Sequence, residues 1–165
     1  MNLPGSRPLN GLGLLVCVAS LLFAIFYLER TLYLDPCPLC IIDRVILTCM
    51  GVVFLIAMLH NPSRLGQRIY GIVNLMVVVT GIAVAGRHVW LQHLPADEVP
   101  ECGAGLSYML ENFPLHKTLQ KVLQGSGECA EIQWEFLSLS IPEQTLILFV
   151  VLASIILVQI IRRSD

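Results

Sequence analysis

Four long apolar stretches decide what this chain can fold into: Gly11 to Leu28, Val45 to Leu59 extended back past Asp43 and Arg44 to about Cys40, Ile69 to Gly86, and Gln144 to Ile161. A helix rises about 1.5 Å per residue, so roughly 17 to 25 apolar residues cross a hydrocarbon core of about 30 Å. Lipid offers the backbone no hydrogen-bond partners, so the segments must be helical. Of the 165 residues, 56% are hydrophobic and 13% charged, outside the balance of soluble domains. The sequence predicts an all-α integral membrane fold, a four-transmembrane-helix bundle forming a single membrane domain over 1–165, with helices at about 11–29, 40–60, 69–87 and 144–161. The first stretch reads as a retained helix and not a cleaved leader, because no small-x-small site follows it and Glu29 and Arg30 do.

Charge sets the expected orientation. One face carries Arg7, Arg64, Arg68, Arg162 and Arg163 with Asp165 as its only acid, and basic residues in short loops favour the cytoplasm. Both termini are therefore expected inside, with outer loops at about 29–39 and 87–143. The net charge of −2, with no run of Lys or Arg, excludes nucleic acid as a partner. The lipid bilayer is the partner the composition demands.

Of six cysteines, Cys17 and Cys49 fall inside apolar helices and read as small buried side chains. Cys37 and Cys40 end the first outer loop, and Cys102 and Cys129 lie in the second. An even number of thiols on an oxidising face is the arithmetic of paired cysteines. The second loop far exceeds the ordinary connection of about four to six residues, so it is functional or disordered. Gly103 and Gly105 follow Cys102, and Gly125, Ser126 and Gly127 precede Cys129, which favours function. A Cys102–Cys129 bridge that merely stapled the loop would still stabilise it by roughly 3 to 4 kcal/mol. Between the two, Leu115, Leu119, Val122 and Leu123 recur at helical spacing and predict a short amphipathic helix. Pattern alone leaves two placements open: on the membrane surface, or packed on a core of the loop's own.

Asp35-Pro36-Cys37-Pro38-Leu39-Cys40 opens the second helix. Asp35 is the expected N-cap and either proline suits the first turn, where a missing N–H costs nothing. Free N–H groups and the helix dipole then favour thiolate at both sulfurs. Zinc sites and thioredoxin folds share the Cys-x-x-Cys spacing, but the chain lacks a βαβ context and a second close ligand pair, so no metal is predicted. Arg44 follows Cys40 by four residues, on the same face and one turn deeper. A cation there reads either as a functional charge or as an interfacial partner of Asp43. Arg87, His88 and His93 gather near the outer end of the third helix; His93 and Arg87 are candidates, while Trp90 beside them favours plain interfacial anchoring.

With these residues in view, the chain resembles the DsbB family, quinone-dependent disulfide-generating proteins of the bacterial inner membrane. The likeness rests on the four-helix layout, Cys37-Pro38-Leu39-Cys40 with Arg44, Pro100-Glu101-Cys102-Gly103, and Gly125-Ser126-Gly127-Glu128-Cys129-Ala130 with Trp134 beyond. It implies that Cys37, Cys40, Cys102 and Cys129 are catalytic. A reduced DsbA-like periplasmic thiol oxidase would attack the Cys102–Cys129 disulfide through Cys102, and Cys129 would then bond transiently to Cys37. Cys40 would meet ubiquinone or menaquinone, with Arg44 stabilising the developing charge and His93 matching a position near the quinone. DsbA is a strong oxidant at about −120 mV, so few thiol couples could reoxidise it and a lipid-soluble acceptor is required. Two departures stand out: Asp43 where members often carry Gln or Glu, and Gln144 where they often carry Trp.

Two other functions compete. A vitamin K epoxide reductase-like enzyme also joins a small bundle to loop cysteines, but its helix-start pair is expected in the last helix, not the second. A non-catalytic scaffold with structural disulfides predicts that Cys37→Ser leaves electron transfer untouched.

Overall fold

The computed structural model describes residues 6–95, 97–100 and 106–161. Cys102, with the expectations attached to it, lies outside them. Helix α1 (Ser6–Leu22) runs on as a π-helical segment (Phe23–Thr31), followed by α2 (Pro38–His60) and α3 (Arg64–Gln92). Three short helices come next, α4 (Leu106–Asn112), α5 (Leu115–Gln124) and α6 (Gly127–Ala130), then strands β1 (Glu135–Phe136) and β2 (Leu139–Ser140) and the final α7 (Ile141–Ile161).

Arg7–Thr31, α2, α3 and α7 are each long and apolar enough to cross a membrane. Even the shortest, α7 with 21 residues, rises about 32 Å. The protein is a multi-pass helical membrane protein. Every span extends past its uncharged stretch, because the backbone keeps its helical bonds where charged side chains reach the headgroup zone. α3 packs chiefly on α7, α1 on α2 and α2 on α3, so the four close into a bundle. Large apolar side chains outside these seams, such as Leu15, Leu59 and Met76, stay uncovered, as a lipid-facing surface requires.

Two aromatic rings fill the seams where glycine leaves room. A Cβ on Gly81 would lie 2.8 Å from the Phe149 ring, and one on Gly13 would lie 2.7 Å from the Phe54 ring. Phe149 and Phe54 are accordingly buried, with Met50, Val78, Leu152 and Ile156 beside them. Small residues permit close helix approach where no hydrophobic force drives association.

The segment between α3 and α7 folds back on the bundle. The amphipathic stretch is α5, which buries Thr118 and Val122 and leaves Leu115, Leu119 and Leu123 uncovered. Thr118 Oγ1 donates to the Met109 carbonyl at 3.0 Å, tying α5 to α4. At its other end Arg87 Nη2 donates to the Gln124 carbonyl at 3.0 Å. Gly125 then turns the chain at φ 84°, pressed against Leu91, and delivers α6 onto α3. Any side chain at Gly125 would meet both a left-handed backbone and Leu91.

β1 and β2 form a two-residue hairpin, Phe136 opposite Leu139, with Leu137 at φ 54° and Ser138 at φ 61°. Two consecutive left-handed residues define a primed turn, here made without Gly or Asn. Ser140 Oγ donates to Gln92 Oε1 at 2.7 Å and Gln144 Nε2 donates to the Leu139 carbonyl at 2.9 Å, anchoring the hairpin to α3 and α7.

Candidate active site

The site begins with the cap of α2. Cys37, not Asp35, is the N-cap: its backbone is extended, its Sγ accepts the Cys40 N–H at 3.3 Å, and Pro38 takes the first helical position. This places Cys37 Sγ 2.9 Å from Cys40 Sγ, closer than ordinary sulfur contact and short of a bond of about 2.05 Å. Both are free thiols, as are Cys17, Cys49 and Cys129.

Two further elements converge on Cys37. From α3, His88 Nε2 lies 3.6 Å from Cys37 Sγ, with the imidazole 2% exposed. From α6, Cys129 is 1% exposed, and its sulfur, the Cys37 sulfur and the His88 nitrogen all lie within 4.8 Å of one another. Ser126 Oγ supports Cys129 Sγ at 3.8 Å. The loop thiol and the helix-start pair are thus already side by side.

At Cys37 the expected thiolate is reversed. The Cys37 thiol is pushed up, first by its hydrogen bond to Cys129, then by the one to Cys40 and by burial. Cys129 is lowered to about 6, chiefly because Cys37 donates to it, with further N–H support from Ser126 and Leu39 outweighing its burial. One helical N–H reaches Cys37, but two neighbouring thiols and its own burial outweigh it. Cys129 is the thiolate and Cys37 the donor that holds it.

Below the thiols lies a cavity of about 410 Å³, inside the range of roughly 300 to 1,000 Å³ usual for small-molecule sites. The π-helical segment contributes Phe23, Ala24 and Leu28, α7 contributes Thr145 and Leu148, and Trp134 reaches over from beside the hairpin. Cys40, Asp43, Arg44 and His88 lie together on a wall that is mostly apolar, with Asp35, Gln133 and Gln144 among its other polar residues. Arg44 is paired with Glu29 of the π-helical segment, not with Asp43. Asp43 is buried, and one of its oxygens finds no hydrogen-bond partner among the described residues; neither does His88 Nδ1. π-turns are rare and recur at functional sites, and here one carries both cavity lining and the partner of the arginine.

His93 and Arg87 stand apart from this cavity. His93 caps α3, is exposed, and donates from Nδ1 to the Val89 carbonyl of its own helix at 2.9 Å. Arg87 holds the end of α5 and stacks 4.2 Å over Trp90. The histidine at the thiols is His88, and the sequence carried a signal for it: it shares a helix face with Gly81, Val84, Ala85 and Leu91, all of which are buried. Glu29 had no comparable signal, since a charged residue at a span end reads as an interfacial anchor.

A multi-pass helical bundle with adjacent free thiols above an apolar cavity defines a membrane thiol–disulfide oxidoreductase. A family model described as Disulfide bond formation protein DsbB matches residues 6–159. Disulfide bond formation protein B of Nitrosococcus oceani is 51% identical over 148 residues, covering 90% of this chain and 87% of that protein. Proteins of the same name from Methylococcus capsulatus and Acinetobacter baumannii are each 48% identical, covering 96% and 94% of this chain and 96% and 91% of their own. The chain belongs to the DsbB family. These matches favour neither the vitamin K epoxide reductase-like reading nor the scaffold.

Proposed function

We propose that this membrane oxidoreductase reoxidises a DsbA-like periplasmic thiol oxidase and passes the two electrons to a quinone, ubiquinone or menaquinone, bound in the cavity beneath Cys40. The observation that carries the reading is that Cys37 touches Cys129 on one side and Cys40 on the other, while Cys40 alone of the three lines the large cavity. The bacterial inner membrane is the site, with both termini cytoplasmic and the thiols outside; the arginines at the opposite end of the bundle, Arg7, Arg64 and Arg68, support that orientation.

In the oxidised enzyme the partner's thiolate attacks Cys102 of a Cys102–Cys129 disulfide, releasing Cys129 as thiolate. Cys129 then attacks Cys37 of a Cys37–Cys40 disulfide, and Cys40 leaves as thiolate facing the cavity. Attack of the partner's second thiol frees Cys102, which takes back Cys129 and releases Cys37. The Cys37–Cys40 disulfide re-forms as two electrons leave these sulfurs. Each exchange breaks one S–S bond and makes one, and a low pKa at Cys129 suits it to be first a leaving group and then a thiolate nucleophile near neutral pH.

The quinone supplies a lipid-soluble two-electron, two-proton acceptor. The cavity fits such a group: its mostly apolar wall suits a flat ring, and Arg44, Gln133 and Gln144 are among the polar side chains that line it. Arg44 would hold negative charge on Cys40, with Glu29 fixing the guanidinium in place. The test mixes purified protein with reduced DsbA and a quinone and follows quinone absorbance. Decay well above the uncatalysed rate, abolished by Cys37→Ser, is expected; decay no faster than without protein eliminates the proposal.

A further inference from the structure

We propose that the reduced enzyme binds one thiophilic divalent cation, Zn²⁺ or Cd²⁺, between Cys37, Cys129 and His88, and that the bound cation holds it in an inactive state. Binding stands independently of the electron path; inhibition rests on it.

Sequence spacing hides this site, because its three donors come from the start of α2, the last turns of α3 and α6. In space they form one set, within 4.8 Å of one another, with Cys37 Sγ 3.6 Å from His88 Nε2. Zinc bonds of about 2.3 Å to sulfur and about 2.0 to 2.1 Å to nitrogen give tetrahedral donor separations of about 3.5 to 3.8 Å. Closing the set onto a cation needs movements of about an ångström or less, in side chains alone. Cys40 Sγ lies 2.9 Å from Cys37 Sγ but outside that set, which leaves the fourth tetrahedral position to a water.

Three observations point to a cation and not to a chance cluster. A second cavity, of about 20 Å³, adjoins Cys37, Cys40 and His88, enough room for one ion or water. Glu128 and Glu131, both exposed, line its outer side and give a cation an acidic approach from solvent. His88 is buried, and its Nε2 is turned toward Cys37 Sγ at 3.6 Å, the ring edge a ligating imidazole would present. Binding is not a redox step: a ligating sulfur that still carries a proton, as Cys37 does, gives it up to solvent as its metal bond forms, and the sulfurs stay reduced. Cys37 and Cys129 are then unavailable to each other or to Cys40 for disulfide exchange.

The full-length protein in detergent, reduced with a phosphine under anaerobic conditions, is titrated with Co²⁺ as a coloured stand-in and then with Zn²⁺. Tetrahedral cobalt bands with a thiolate charge-transfer band should saturate at one ion per chain and disappear as zinc displaces cobalt. His88→Ala and Cys129→Ser should each weaken binding by at least about a hundredfold, beyond what loss of an outer-sphere partner costs. Cys17→Ser and Cys49→Ser should leave it unchanged. Absence of the bands, or their persistence in the His88→Ala/Cys129→Ser double variant, overturns the site. Should those variants misfold, the unmodified protein decides: zinc must protect Cys37 and Cys129 from alkylation, and equal labelling with and without zinc sinks the proposal. A final arm adds zinc to the quinone assay. Full turnover in zinc-loaded protein refutes inhibition, whereas absence of turnover in metal-free protein refutes the electron path and leaves binding intact.

Discussion

Three thiols of one chemical type are made unlike by what surrounds them. Cys37 donates to Cys129, so when Cys129 gives up its proton to solvent the one that remains is held on Cys37, and the pair shares one negative charge in a buried pocket. The sign is testable by reactivity. With Cys129 lowered to about 6, its thiolate fraction rises as pH rises through 6 and levels off above 7, whereas an ordinary thiol gains thiolate only near pH 8 to 9. Alkylation of Cys129 in the reduced protein, followed by peptide mass spectrometry, should show a midpoint near pH 6, and Cys37→Ala should move it upward. An unchanged midpoint in that variant would mean that Cys37 is not the source of the shift. At this scale the sequence was legible for chemistry and illegible for contact. It displayed Cys37, Cys40, Cys129 and Arg44 openly, because each sits in a spaced motif. It marked His88 by its apolar helix face but could not show that α6 packs there, nor reveal that Arg44 pairs with Glu29.

At the scale of elements, hydropathy exposes the spans because a single physical demand, burial in lipid, dominates their composition. The hairpin stayed hidden for the opposite reason: Leu137 and Ser138 adopt left-handed backbone without the Gly, Asn or Asp that favours it, so tertiary context selects it. That context is aromatic. Trp134 stacks on Phe136 with centroids 6.1 Å apart and meets Phe23 and Tyr27 of the π-helical segment. The cavity wall is thereby built by a loop pinned to two helices and not by the bundle alone. Seams depend on glycine in the same contextual way. Gly81→Ala would set a methyl 2.8 Å from the Phe149 ring, an overpacking cost of about 1 to 3 kcal/mol. A lowered unfolding midpoint is expected in detergent, partly restored when Phe149→Leu is combined with it. Additive losses in the double variant would show that the two positions do not press on each other.

The whole molecule solves a problem of sides. A span count of four returns the chain to the face where it began, so the α2–α3 turn lies at the end opposite the α2 start, the α3 end and α6. Every thiol of the proposed relay within the described residues is therefore at one end, and basic Arg64 and Arg68 follow the turn at the other. Because basic short loops are retained in the cytoplasm, the end with the thiols should face the oxidising compartment, where a soluble dithiol partner can reach it. This fixes an outcome in intact cells. A membrane-impermeant maleimide should label Lys117→Cys, on the exposed surface of α5, without permeabilisation, and should label Ser63→Cys, at the exposed α2–α3 turn, only after it. The reverse pattern would turn Cys37, Cys40 and Cys129 toward the reducing cytosol. Their contacts and the cavity would survive that inversion, but a periplasmic oxidase could no longer deliver electrons to them, and the family fold would have to serve a cytoplasmic thiol donor instead.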